Sequence, residues 1–123
     1  MVEHLATIPI LRSFDESKAK EFYCGFLGFS VDWEHRFEPS LPLFMQLSLG
    51  EIVIWVSEHH GDATPGSHVC FKVRGLRVWH AGILAQAYAN ARPGIGPHVG
   101  GGICVAIPDP FGNQLEFIED GPQ

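Results

Sequence analysis

The chain has 123 residues, of which 46% are hydrophobic and 18% are charged, so it fits one folded domain and excludes a disordered chain. Its formal net charge of −6 argues against nucleic-acid binding, because contacts to phosphates require clustered lysine and arginine. No apolar run approaches the roughly 20 residues of a membrane span, and the first residues lack a signal-peptide pattern. We therefore expect a cytoplasmic protein that makes no membrane contact.

The first half of the chain predicts a strand, a helix and three further strands. Residues 6–13 form the first predicted strand, and Ser13 with Glu16 fits a capping box at the start of the helix. Apolar side chains then recur at helical spacing, and Gly28 ends the helix in the left-handed conformation that glycine adopts readily. Three strand segments follow, at residues 29–37, 43–49 and 52–58, with a tight turn around Gly50.

The same order of elements recurs in the second half, after a polar linker at residues 59–66. An alternating strand at residues 67–73 precedes an amphipathic helix at residues 76–87, and a weaker strand is predicted at residues 88–95. The chain ends in a hairpin whose two strands flank the turn sequence DPFG, at residues 102–108 and 113–119. An internal repeat with a period of roughly 60 residues is strong evidence on the fold.

Two segments resemble the vicinal oxygen chelate superfamily, which includes glyoxalase I, bleomycin resistance proteins and extradiol dioxygenases. They are ILRSFDESKAKEFYCGFLGF at residues 10–29 and DPFGNQLEFIE at residues 109–119. The resemblance implies an α+β fold of two βαβββ modules that form a curled mixed sheet with the helices outside. It also implies a homodimer with ligand sites in concave faces. Residues 1–123 then form one domain, with module one at about residues 5–58, the linker at 59–66 and module two at about 67–120.

Metal-dependent relatives hold their ion at four inward positions, which the resemblance carries over to Ile8, Trp55, His68 and Glu116. Strand alternation independently supports an inward orientation, because His68 and Glu116 lie opposite their apolar strand neighbours. Ile8 and Trp55 cannot donate to a metal, and this departs from the metal-enzyme pattern. His68 and Glu116 are therefore candidate ligands of a divalent metal, a charge-paired contact that lines the groove, or a pair used for ligand contact or proton transfer.

Two further segments leave alternatives open. The sequence EHHGD at residues 58–62 is a polar linker or a loop that borders the groove and contacts a ligand or a second subunit. The glycine-rich stretch at residues 91–102 predicts a mobile flap, in which His98 is an exposed loop residue or reaches the pocket. Three widely spaced cysteines, Cys24, Cys70 and Cys104, form no CxxC pair, so we expect buried free thiols in a reducing compartment.

The first functional hypothesis is a binding protein of the bleomycin-resistance type, which sequesters an antibiotic-like small molecule in a dimer groove without catalysis and without a cofactor. Aromatic side chains would stack on the ligand, and acidic or histidine side chains would supply polar contacts and negative charge. The candidate residues are Trp33, Phe37 and Trp55 for stacking and Glu58, His68 and Glu116 for polar contacts. The alternative is a metal-dependent lyase or dioxygenase in which His68 and Glu116 bind the ion. Its third ligand would come from the partner chain, His98 or water.

Overall fold

The computed structural model describes residues 1–121 and confirms the predicted α+β repeat. The first module comprises β1 (Ile10–Arg12), α1 (Glu16–Lys20) continued by a π-helical segment (Glu21–Phe26), β2 (Ser30–His35), β3 (Phe44–Leu49) and β4 (Ile52–Ser57). The second module comprises β5 (His68–Lys72), α2 (Leu76–Ala85), β6 (Ile95–Pro97), β7 (Ile103–Pro108) and β8 (Gln114–Glu119). No helix within residues 1–121 is long and apolar enough to cross a membrane.

Each module forms its own four-stranded mixed sheet, with strand orders β1-β4-β3-β2 and β5-β8-β7-β6. In both sheets the first strand of the module runs parallel to the fourth, and the other neighbours are antiparallel. Ile10 is paired with Trp55 in the first sheet, and Cys70 is paired with Glu116 in the second. These two pairs therefore occupy equivalent places in the two modules.

The start of the chain differs from the sequence prediction in two respects. Strand β1 begins at Ile10 and not at residue 6, because Pro9 has no amide hydrogen to donate; its carbonyl instead accepts the Trp55 N–H at 3.0 Å. The predicted capping box of Ser13 and Glu16 is wrong, because Asp15 caps the helix by accepting the Lys18 N–H at 2.9 Å. Ser13 is buried and donates its own N–H to the Ser57 carbonyl.

The glycine turns follow the sequence prediction, whereas strand β6 and the end of helix α2 differ from it. Gly28 ends the first helix with a φ of +93°, as predicted, and Gly112 adopts a φ of +91° in the DPFG turn. The weak strand predicted at residues 88–95 lies instead at Ile95–Pro97. Helix α2 ends at Ala85, before a left-handed Ala87 with a φ of +52°.

One buried core joins the two modules, because both helices and the inner faces of both sheets contribute to it. Phe26 stacks on Tyr88 with ring centroids 4.5 Å apart, and the Asn113 amide donates to the Arg12 carbonyl at 2.9 Å. The inner faces are thus occupied by packing between the modules. The opposite face of each sheet is turned away from this core, and both candidate sites lie on these open faces.

Candidate functional site

The open face of the first sheet carries Trp33, Gln46, Ser48 and Trp55. The strand register places Trp33 beside Gln46 and Gln46 beside Trp55, in a row across three strands. The residues that flank Trp55 in sequence, Ile54 and Val56, are buried on the other side. The expectation that Trp55 points away from the core therefore agrees with this strand register.

An aromatic cluster covers this face. The rings of Trp33 and Phe44 stack with centroids 5.8 Å apart, and Trp55 meets Phe44 at 5.5 Å and Trp33 at 6.1 Å. Phe37 lies at the edge of the cluster, where it meets the His59 ring at 5.4 Å. Trp33 is 39% exposed and Phe37 is 68% exposed, so large apolar surface is open to a ligand.

A chain of hydrogen bonds fixes the orientation of Trp55. Its indole N–H donates to Gln46 Oε1 at 2.8 Å, and Gln46 Nε2 donates to Asp32 Oδ2 at 3.0 Å. Ser48 Oγ donates to the other Asp32 oxygen at 2.9 Å. Sequence reasoning missed Gln46 and Asp32, although strand alternation places Gln46 on the same face as Phe44 and Ser48. This network gives the apolar face an acidic border.

A hollow of about 300 Å³ opens next to the cluster and is lined by Trp33, His35, Phe37, Phe44, His59 and Asp62. The EHHGD loop therefore borders this face through two of its residues. Ser57 holds the loop, since its hydroxyl donates to Asp62 Oδ2 at 2.6 Å and lies 3.1 Å from His59 Nδ1. Ser57 is fully buried and cannot act as a nucleophile on a substrate.

Glu58 does not line this hollow, although the sequence suggested it as a ligand contact. Burial raises the pKa of its carboxyl group, the negative charge of Glu16 acts in the same direction, and Arg36 opposes both. Its Oε1 atom is buried without a hydrogen-bond partner among the described residues.

The open face of the second sheet carries a polar cluster centred on Glu116. His68 Nε2 lies 3.0 Å from Glu116 Oε1, and His98 Nε2 lies 3.6 Å from Glu116 Oε2. The His68 side chain is 51% exposed, whereas Glu116 is only 14% exposed. One carboxylate therefore lies between two imidazole rings, one near each of its oxygens.

Two thiols flank the same carboxylate. Cys70 is the strand partner of Glu116, and its sulfur lies within 4.8 Å of donor atoms of both His68 and Glu116. Cys104 lies on the neighbouring strand β7 and donates to the Pro97 carbonyl at 3.8 Å. Burial raises the pKa of the Cys104 thiol, and the Glu116 charge acts in the same direction. All three cysteines are free thiols in the described part of the chain, but the expectation that they are buried is wrong, because Cys70 is exposed and Cys24 and Cys104 are only partly buried.

The four positions that hold metal in related enzymes do not form a common ligand set here. Ile8 lies before β1 and its side chain has no metal-binding atom, and the indole N–H, the one polar group of the Trp55 side chain, is donated to Gln46. Trp55 contacts the aromatic cluster, whereas Glu116 contacts His68 and His98. The residues present therefore do not fit a four-ligand metal centre shared by the two modules.

Comparison with known proteins identifies the class of this chain. Residues 1–122 match a family model described as "Glyoxalase superfamily protein", so the chain belongs to the glyoxalase superfamily. No curated protein sequence matches the chain significantly. The two-module fold with unclosed sheets agrees with this assignment.

Several solved structures share the fold. An antibiotic-binding protein, TnmS3, from Streptomyces sp. CB03234 superposes with a TM-score of 0.76 at 16% identity, covering 98% of this chain and 99% of that one. A bleomycin-binding protein in complex with bleomycin gives a TM-score of 0.70 at 22% identity, covering 96% and 100%. The bleomycin-binding protein of Streptomyces verticillus, in complex with copper(II)-bleomycin, gives 0.69 at 24% identity, covering 99% and 100%. At these identities the similarity establishes the fold alone.

Proposed function

We propose that the protein binds an antibiotic-like small molecule on the open face of its first sheet and sequesters it without chemical change. The observation that carries this proposal is the partly exposed cluster of Trp33, Phe37, Phe44 and Trp55 beside a hollow of about 300 Å³. Aromatic rings that already pack against one another offer stacking surface without further ordering of the side chains.

The chemistry of the face specifies the class of ligand. Stacked rings accept a planar or heteroaromatic group, and Asp32 and Asp62 at the border favour a cationic substituent. A volume of about 300 Å³ lies at the lower limit for enclosed ligand sites, so it accepts one ring system and leaves the rest of a larger molecule outside. The ligand is therefore an amphipathic molecule of which only the aromatic part is enclosed.

A second copy of the chain would complete the site. Every residue of strand β2 is exposed, and the aromatic cluster lies beside this strand. We infer a homodimer in which the partner covers the ligand outside the hollow and thereby forms a groove. Sequestration requires only affinity, and a micromolar dissociation constant corresponds to about −8 kcal/mol.

The metal-dependent lyase or dioxygenase is the second candidate, and it is favoured by the contact between His68 and Glu116 at 3.0 Å. The apolar residues Ile8 and Trp55 at the equivalent places of module one count against it. A Lewis-acid mechanism would have to use the second module alone for the metal. We therefore rank sequestration first.

The test measures binding of bleomycin, with and without copper(II), and of further planar cationic antibiotics by calorimetry and by the shift in melting temperature. We expect a dissociation constant of about 1 μM or lower for at least one compound. Mass spectrometry of that compound after its release from the protein should show an unchanged mass. Changing Trp33 to Ala should weaken binding about tenfold, as should Phe37→Ala. The matched control is Phe14→Ala, because Phe14 is 56% exposed but packs on Phe111, outside the hollow.

Three outcomes would overturn this proposal. The panel produces no binding, or Phe14→Ala weakens binding as much as Phe37→Ala, or the ligand is recovered in a chemically altered form. Sedimentation of the complex measures whether the chain is a dimer. A homodimer would have one groove per pair of chains, or two grooves related by symmetry. A complex that remains monomeric at saturating ligand would refute the shared groove.

A further inference from the structure

We propose that a hollow between the two modules, which we call the junction hollow, binds a small carboxylic acid with an apolar, ring-sized tail. The hollow has a volume of about 260 Å³. It lies apart from both open faces, so its occupation does not depend on the proposed binding of an antibiotic-like molecule to the first sheet. Its apolar walls are formed by Leu49, Ile52, Val73, Leu76, Trp79 and Phe117.

Strand alternation places the junction hollow on the core side of both sheets. Leu49 and Ile52, at the adjoining ends of β3 and β4, alternate in phase with the buried residues Leu47 and Ile54. Phe117 on β8 is 1% exposed and belongs to the core itself. The hollow therefore continues the buried core to the surface, where the β3–β4 turn of one module and helix α2 of the other line the same space.

Trp79 holds one wall of the junction hollow in place. Its ring packs on Phe117 with centroids 4.4 Å apart, and its indole N–H donates to the Leu27 carbonyl at 3.4 Å. Leu27 belongs to the first module, so Trp79 is held by contacts to both modules, yet its side chain stays partly exposed. A rigid apolar wall that remains open to water favours a ligand ring, because the ring displaces that water without further ordering of the protein.

Arg74 is the one charged residue that lines the junction hollow. It is exposed, and within the described chain it forms no ion pair. Two carboxylates, those of Glu119 and Asp120, line a second hollow with Arg74, but both already have partners. Glu119 accepts the Leu76 N–H at 2.8 Å, and Asp120 accepts a hydrogen bond from Lys72 Nζ at 2.8 Å. The guanidinium is therefore available to an external carboxylate, which arginine binds in a bidentate geometry.

The dimensions and charges of the junction hollow define the class of ligand. Apolar walls around about 260 Å³ accommodate one ring and exclude a drug-sized molecule. The positive charge of Arg74 selects an anion, whereas the charges of Glu119 and Asp120 disfavour a second negative group. A monocarboxylate such as phenylacetate therefore fits better than a phosphate ester or a dicarboxylate.

The test titrates phenylacetate and its neutral analogue phenylacetamide into the full chain carrying Trp33→Phe and Trp55→Phe. Trp79 is then the one remaining tryptophan, and its emission should shift to shorter wavelength as the ligand replaces water. We expect a saturable shift with a dissociation constant of about 1 mM or lower for phenylacetate. Arg74→Gln should weaken the binding of phenylacetate about tenfold and leave the binding of phenylacetamide unchanged. Calorimetry on the wild-type chain measures the same affinity without the tryptophan changes.

The matched control is Arg77→Gln, because Arg77 is an exposed arginine of α2 that does not line the junction hollow. It should leave the affinity for phenylacetate unchanged, and a loss equal to that of Arg74→Gln would reduce the effect to general attraction of anions and overturn the site. The absence of a saturable shift would overturn it as well, as would a weaker affinity for phenylacetate in Trp33→Ala. A shift of Trp79 emission on dilution of the ligand-free protein would show that a second copy fills the hollow, contrary to the proposal.

Discussion

The buried hydrogen bond between Tyr23 and Asp109 provides the sharpest quantitative test of how the two modules are joined. The Tyr23 hydroxyl donates to Asp109 Oδ2 at 2.6 Å, and the two residues are 0% and 7% exposed. Asp109 also accepts the backbone N–H groups of Phe111 and Asn113 and the amide of Asn113. Changing Tyr23 to Phe removes one donor of four and leaves no isolated buried charge.

We expect this change to lower the free energy of unfolding by about 1.5 to 3 kcal/mol, the range for a hydrogen bond to a charged group. The assay is equilibrium unfolding in urea, in which the midpoint should fall while the m-value stays constant. Tyr88→Phe is the matched control, because its hydroxyl also donates to a carboxylate, that of Glu21, but at the surface and at 3.1 Å. It keeps its stacking on Phe26 and should cost less than about 0.5 kcal/mol.

The same pair gives a pH dependence of known sign. Burial, reinforced by Asp109, raises the pKa of Tyr23 well above its usual range. Tyrosine in the unfolded chain loses its proton near pH 10, roughly, so the contribution of Tyr23 is complete below that pH and is lost as the pH rises through the folded-state pKa. The stability difference between wild type and Tyr23→Phe should therefore narrow above about pH 10. Equal losses of unfolding free energy in Tyr23→Phe and Tyr88→Phe would refute the reasoning. A stability difference between wild type and Tyr23→Phe that widens above about pH 10 would also refute it.

Two further predictions concern single positions. Burial raises the pKa of Glu58, so its contribution to stability is present below the unfolded-state pKa and is lost as the pH rises through the folded-state value. Glu58→Gln should therefore raise the melting temperature at pH 7, with the gain disappearing below about pH 4; a loss at pH 7 would contradict this. Gly102 has a φ of +79°, and an added Cβ would overlap the Glu119 carbonyl oxygen. In urea unfolding, Gly102→Ala should cost more than about 2 kcal/mol, whereas Gly94→Ala, which meets open space, should cost little, and equal costs would refute the clash.

The order of elements was predictable because most strands and helices carry a clear periodicity. The internal repeat supported each assignment in one module by the equivalent element in the other. It failed at β1 and at the cap of α1, where the outcome depended on which backbone groups were paired across the sheet. Pro9 indicated a break in the hydrogen bonding of the predicted strand. That β1 begins at Ile10 became clear only from its pairing with the partner strand. Strand ends are decided by such partners and not by local propensity.

Strand alternation also placed Trp55, His68 and Glu116 on faces away from the core, because the period of two is a strict geometric rule. Glu58 could not be placed in this way, since it follows the last residue of β4, Ser57, where alternation no longer applies. Gln46 was overlooked because a polar residue on an open strand face is ordinary. Its importance depends on the distance of its two amide atoms to Trp55 and Asp32.

The register of the two sheets accounts for how one repeated scaffold supports two different open faces. Ile10 and Trp55 are paired where the second module pairs Cys70 with Glu116. None of these four side chains belongs to the buried core of the described chain, so exchanging apolar for ligating groups costs little stability. The backbone thus fixes where two side chains meet, while their chemistry is free to differ between the modules. The first module thus presents aromatic rings on its open face, and the second presents imidazole, thiol and carboxylate groups. Changing the pair in one module should leave the other face intact.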